Sequence, residues 1–192
     1  MGDPKRSRKK FHSPGHPYEK PRIESELIVV GKYGLRSKRE LWRARTALGN
    51  YRAQARSLLG LEEQDRLKME KILIDKLARL GIVKEGTTTD DILGLEVESV
   101  LNRRLQTRVL ELGLAGTIHQ ARQLITHRHI AVNNKVMTSP GFIVPLELDN
   151  KITYTSNSPF NDASHPLSPS LQRQGGGIVE IPTRAPERRN RR

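Results

Sequence analysis

The chain has 192 residues, of which 34 are Lys or Arg against 21 Asp or Glu, giving a formal charge of +13. A surplus on that scale points to a polyanionic partner, nucleic acid before acidic membrane. The absence of cysteine excludes disulfides, thiol catalysis and cysteine-containing zinc sites, and no apolar run approaches the roughly 18 residues of a membrane span or the core of a signal peptide, so a soluble intracellular protein is expected.

In chain order, residues 1–21 read as a basic arm without a core of its own. Within residues 1–10, Lys5, Arg6, Arg8, Lys9 and Lys10 stand against Asp3 alone, and Pro4, Pro14 and Pro17 interrupt any apolar period. A helical region is expected over 22–98. Ile23, Leu27 and Val30 keep a helix period, and Gly34 allows a turn. Ser37 and Glu40 then form the two ends of a capping box. Behind it Leu41, Ala44, Leu48, Tyr51, Ala55 and Leu58 recur at steps of 3, 4, 3, 4 and 3, which predicts a long amphipathic helix closed by Gly60.

On that helix Lys38, Arg45, Arg52 and Arg56 make a basic row along one flank of the apolar stripe, with Trp42 beside it. Arg39 and Arg43 lie on the opposite side. A solvated face ordinarily mixes signs for i,i+4 pairing. This flank hardly does, so the row is expected to meet a phosphate backbone. The next helix, 63–80, points Leu67, Ile74, Leu77 and Ala78 inward and stops at Gly81; its mixed charges suit an ordinary surface. A loop over 84–90 leads to a short turn capped by Thr89. Asp90 and Asp91 there read as first-turn acids that favour the helix dipole, in preference to a metal pair.

Val97, Leu101, Leu105, Val109 and Leu112, at steps of 4, 4, 4 and 3, predict one helix ending at Gly113. Arg104 and Arg108 border its stripe and Arg103 points away from it. After a short loop Thr117 and Gln120 make a second capping box, and Ile118, Ala121, Leu124 and Ile125 give a second helix its apolar face, with Arg122 at the border. The helical period ends at His127. Ile130–Val132 and residues 135–137 read as strands joined by an Asn133-Asn134 turn, since Asn tolerates positive φ; residues 142–144 and 151–154 continue the strand signal. A β-ribbon packed on a helical hairpin collects the basic side chains of this stretch along the junction. The N-terminus of the second helix offers backbone N–H groups to a phosphate.

These residues carry a resemblance. The stretch RRLQTRVLELGLAGTIHQARQLITHRHIAVNNKV resembles the S-four RNA-binding domain, and GKYGLRSKRELWRARTALGNYRAQARSLL, the head GDPKRSRKKFHSPGHPYEK and SPFNDASHP are similar to the archaeal form of the S-four family of small-subunit ribosomal proteins, whose eukaryotic relative is S-nine. The resemblance runs over most of residues 1–166; after about 167 no counterpart is recognised, and 165–192 reads as a disordered basic tail. It implies a structural, ribosome-bound cytoplasmic protein that binds the 5′ region of small-subunit ribosomal RNA early in assembly, beside neighbouring ribosomal proteins. RNA contacts carry over to Arg104, Arg122, His127, Arg128, His129 and Lys135. No zinc is expected, because the cysteines that hold it in some bacterial members are missing.

The fold class expected is α+β: a mainly helical region, an αα-hairpin with β-ribbon RNA-binding module over 101–164, and extended basic termini. Candidate RNA contacts are Lys5, Arg6, Arg8, Lys9, Lys10, Lys38, Arg45, Arg52, Arg56, Arg103, Arg104, Arg108, Arg122, His127, Arg128, His129 and Lys135. No catalytic residue, cofactor, metal, membrane contact or homo-oligomer is expected. Three rival readings compete with this one. The RNA-binding part of a modifying enzyme would need a catalytic domain for which there is no room, and His119, His127 and His129 lack an acid cluster beside them. A small-subunit assembly factor shares the architecture, and a general DNA compactor would need no shaped surface.

Overall fold

The computed structural model describes residue 2 and residues 9–84 and 86–161. Lys5, Arg6, Arg8 and the tail from 165 lie outside the described residues. In order come α1 (Lys20–Lys32), α2 (Lys38–Leu58), α3 (Glu63–Arg79), α4 (Thr89–Gly94), α5 (Val97–Asn102), α6 (Leu105–Glu111), α7 (Ile118–Thr126), β1 (Ile130–Val132), β2 (Lys135–Val136) and β3 (Ile152–Tyr154), with 3₁₀ turns at Leu146–Lys151 and Pro159–Asn161. This is an α+β architecture.

α2 is the organising element. Leu41, Ala44, Leu48, Ala55 and Leu58 are buried as its period predicts, each Leu contributing about 2 kcal/mol of apolar burial. They pack against α1, α3, α4 and α5, where Tyr33, Leu77, Ile92 and Leu101 complete a first core. Leu105, Val109, Ala121, Ile125, Ile130, Val144 and Ile152 form a second core between α6, α7 and the sheet. The sheet is antiparallel with order β2-β1-β3. Asn133 and Asn134, at φ 51° and 62°, make the two-residue turn of the β1–β2 hairpin.

Several expectations are corrected. The predicted helix across 97–112 is two helices, because Arg104 is extended and forms a β-bridge with Ile143. The returning chain captures the break: Leu105 N donates to Phe142 O at 2.7 Å, Gln106 N to Pro140 O at 3.3 Å and Val144 N to Arg103 O at 2.9 Å. Residues 142–144 therefore dock on the helical break and add no strand to the ribbon. On α3 Leu77 is buried and Ile74 packs against the core as expected, but Leu73 takes the inward place expected of Leu67, which is exposed. The short turn is capped by Thr88 in place of Thr89: the Thr88 N–H and hydroxyl both donate to Asp91, each at 2.9 Å. Thr89 is buried with its hydroxyl on Glu70. α2 stops at Leu58, with Leu59 right-handed, so Gly60 makes no left-handed cap.

Candidate nucleic-acid interface

The basic row of α2 faces inward chemistry before it faces solvent. Glu26 of α1 is fully buried, and its Oε1 accepts from Arg22 Nη1 at 3.0 Å, Arg45 Nη1 at 2.7 Å and Trp42 Nε1 at 3.3 Å, with Lys38 Nζ 3.4 Å from Oε2. Burial pushes this carboxyl up, but the hydrogen bonds from Arg22 and Trp42 and the charges of Arg45 and Arg22 prevail and hold it below its ordinary value. Arg52 donates to Leu95 O. Lys38, Arg45 and Arg52 thus also hold the seam between helices, while the Arg45 side chain keeps 40% of its exposure. Arg56 is exposed with no acid in reach among the described residues. The misleading signal was the Ile23, Leu27, Val30 period: α1 turns Glu26 inward and leaves Leu27 exposed.

The first helix of the hairpin behaves alike. Arg103 is buried, donating Nη1 to Asp149 at 2.9 Å and Nη2 to Val144 O at 2.6 Å, so it does not point outward as expected. Asp149 also takes Arg108 Nε at 3.0 Å, and Arg108 reaches Glu111. Both arginines hold the 3₁₀ turn against α6.

Glu40 was expected to close a capping box on Ser37. Ser37 sits at the N-cap but makes no side-chain cap bond, and the Glu40 carboxylate instead takes Arg104 Nη2 at 2.6 Å and Arg122 Nη2 at 2.8 Å. Gln106 joins them, donating Nε2 to Gly34 O at 3.1 Å and Ile118 O at 2.9 Å. Burial pushes the Glu40 carboxyl up, while the bonds from Arg122 and Arg104, and their charges, bring it below its ordinary value. The two cores are clamped through this carboxylate.

At the far end α7 terminates in a Schellman motif: Arg128 N donates to Ile125 O at 3.2 Å and His129 N to Leu124 O at 2.9 Å. The left-handed position is Arg128, at φ 68°. The corresponding positions after α1, α3 and α6 are Gly34, Gly81 and Gly113. A side chain here costs about 1 kcal/mol relative to glycine. His127, Arg128 and His129 border a surface cleft of about 490 Å³ with Val136 and Thr155. His129 is fixed by Ser158 Oγ, 3.1 Å from Nδ1, and by the edge-on ring of Phe160. Arg128 and Lys135 are exposed with no acid in reach among the described residues. At the other end of α7, Thr117 Oγ1 accepts from Gln120 N at 3.2 Å, while Gln120 Oε1 takes Gly116 N.

Sequence reading missed Arg43, exposed on α2 and without an acid partner among the described residues. It lies with Lys10 and Arg104 around a second cleft, between the two cores. The arm reaches this helix too: Phe11 packs 5.9 Å from Trp42, and His12 N donates to Thr46 Oγ1 at 3.1 Å. The signal for Arg43 is its place with Arg39 on an acid-free flank of the helix.

The ribosomal protein S4/S9 N-terminal domain family matches residues 5–102, and the S4 domain family matches 103–149. The chain is 51% identical over 182 residues to the small ribosomal subunit protein uS4 of Saccharolobus solfataricus, covering 94% of this chain and 98% of that protein. It is 53% identical over 167 residues to uS4 of Sulfurisphaera tokodaii, covering 86% and 93%, and 49% identical over 170 residues to uS4 of Picrophilus torridus, covering 87% and 93%. This chain belongs to the uS4 family.

In the terms of the uS4 family, the Glu40 clamp joins the N-terminal domain to the S4 domain, and the break at Arg103-Arg104 coincides with the boundary between the two family matches. A match covering 94% of the chain also corrects the view that the segment after 167 has no counterpart, since such coverage cannot end there. Among the described residues no helix is long and apolar enough to cross a membrane.

Proposed function

We propose that this chain is a structural component of the small ribosomal subunit, bound to the 5′ region of its RNA from early in assembly and working in the cytoplasm as part of the ribosome. The observation that carries this reading is identity near 50% along almost the whole chain to proteins named small ribosomal subunit protein uS4. The surface chemistry supports it. A-form RNA hides its major groove, so a rigid basic face reads shape, phosphates and 2′-hydroxyls. The groups offered to it are Arg128 and Lys135 with His127 and His129, together with Arg56, Arg122 and, by sequence, the arm residues Lys5, Arg6, Arg8, Lys9 and Lys10. Lys38, Arg45, Arg52, Arg103 and Arg108 act behind these groups, fixing the shape of the surface. Binding proceeds by release of counterions plus shape fit, and the chain acts as a monomer beside other ribosomal proteins, with no catalytic step of its own.

The test is equilibrium binding of the full chain to its own small-subunit ribosomal RNA across a salt series, with duplex DNA as competitor. A preference for the ribosomal RNA that persists as salt rises is expected. Equal affinity for both, with equal salt slopes, would establish a general polyanion binder instead.

A further inference from the structure

The cleft between the two cores is not explained by packing. It has a volume of about 400 Å³, within the range of small-ligand sites. Its floor is apolar, made by Ala44, Ala47, Val100, Leu101 and Ile143, and its rim carries Lys10 and Arg43, neither of which has an acid partner among the described residues. Arg104, on the cleft wall, is only 5% exposed, and its Nη1 has no hydrogen-bond partner. A buried guanidinium nitrogen left unpaired is costly and calls for an acceptor. The cleft is closed on one side by the turn 139–141, where the Ser139 hydroxyl and the Gly141 N–H make no hydrogen bond with any described residue.

An apolar slot with a cationic mouth and a few unpaired donors matches a flat base attached to a phosphate. We propose that this cleft takes one unstacked nucleotide of the bound RNA. The base enters between the α2 face at Ala47 and the chain at Ile143, beside the Arg104 guanidinium, its acceptors meet the donors of the 139–141 turn, and its phosphate stays at the rim with Arg43 and Lys10. Single-stranded or bulged nucleotides are the part of a folded RNA whose base edges a protein can read. The Glu40 carboxylate positions Arg104 by binding its other terminal nitrogen. This inference rests on the reading of the chain as a ribosomal RNA binder and adds a base-reading site to it.

The experiment uses the full chain and its own small-subunit ribosomal RNA. Ala47→Phe fills the slot without removing charge; Arg43→Ala removes one exposed cation. Ala47→Phe is expected to weaken binding about tenfold, the scale of losing one base contact, with the salt slope unchanged. Arg43→Ala is expected to lower the slope by about one. RNA carrying single abasic sites should show one position where loss of the base weakens the wild-type complex about tenfold and leaves Ala47→Phe binding unaltered. Circular dichroism and the urea midpoint establish that each variant folds; should Ala47→Phe unfold, the abasic series on the wild type decides. If no abasic position matters and both variants bind like wild type, while the preference for ribosomal RNA persists, the nucleotide site is wrong and the ribosomal reading stands. If Ala47→Phe binds free RNA normally and fails only in particles that hold other ribosomal proteins, the slot takes a protein side chain and the inference is overturned. Loss of the ribosomal RNA preference in the wild type overturns both.

Discussion

Arg122 of α7 donates Nη2 to Glu40 Oε1 of α2 at 2.8 Å, although 82 residues separate them in sequence. With Arg104 on the other oxygen, this one carboxylate pairs with two guanidiniums from the S4 domain and ties it to the N-terminal domain. Removing the acid leaves both cations uncompensated. A fully buried pair costs about 3–5 kcal/mol when broken. Because the side chains of Glu40 and Arg122 keep 19% and 21% of their exposure, Glu40→Gln is expected to cost about 2 kcal/mol in urea unfolding. Glu24→Gln, which removes the exposed Lys20 pair at 3.9 Å, should cost under about 0.5 kcal/mol.

The same carboxyl sets a pH dependence. Its folded value lies below the ordinary 4.5 because the bonds and charges of Arg122 and Arg104 outweigh burial. A depressed acid stabilises the fold above its unfolded value and loses that contribution as pH falls through the folded one. Glu26 adds in the same direction. From this pair, no loss of stability is expected between pH 7 and about 5, and a steep loss below about 4.5. Glu40→Gln should show a shallower acid limb than wild type. Parallel limbs would mean that the clamp is not a source of the acid sensitivity.

At Arg128 stability and binding should move in opposite directions. Its φ of 68° is a glycine conformation, so Arg128→Gly is expected to raise stability by about 1 kcal/mol. The same change removes an exposed cation and should flatten the salt slope of RNA binding by about one. A variant that is both less stable and equally tight would contradict the role given to this side chain.

Two glycines respond oppositely to a methyl group. At Gly34, φ is +55° and a Cβ would lie 2.9 Å from Gln106 Nε2 and from Ile118 Cγ2. Gly34→Ala is expected to cost about 2 kcal/mol or more, combining left-handed strain with overpacking. At Gly49, inside α2, a Cβ meets nothing within 4 Å; there Ala should stabilise by about 0.5–1 kcal/mol. Thermal unfolding of the two variants measures both.

What the sequence disclosed was local. The α2 stripe was legible because one repeating face buries Leu41 through Leu58, and the hairpin because Asn133-Asn134 has few alternatives to a turn with positive φ. The partners of the cations were not legible. Lys38 and Arg45 are matched by Glu26, and Arg104 and Arg122 by Glu40, across distances in sequence that no helical wheel contains. The break at Arg104 is hidden for the same reason. Leu101 and Leu105 are both fully buried and stay in helical phase, and only the docking of 140–144 ends the first helix. Glu40 in particular fits a capping box equally well on paper; the two arginines compete for it and win, since a carboxylate gains more from guanidinium than from one amide.

The most direct measurement is sedimentation of a gentle lysate, repeated after a high-salt wash, with this protein followed by immunoblot. Near-stoichiometric retention in mature small subunits and in translating ribosomes is the expected result. Presence only in precursor particles, or at the top of the gradient, would contradict a structural place in the small subunit.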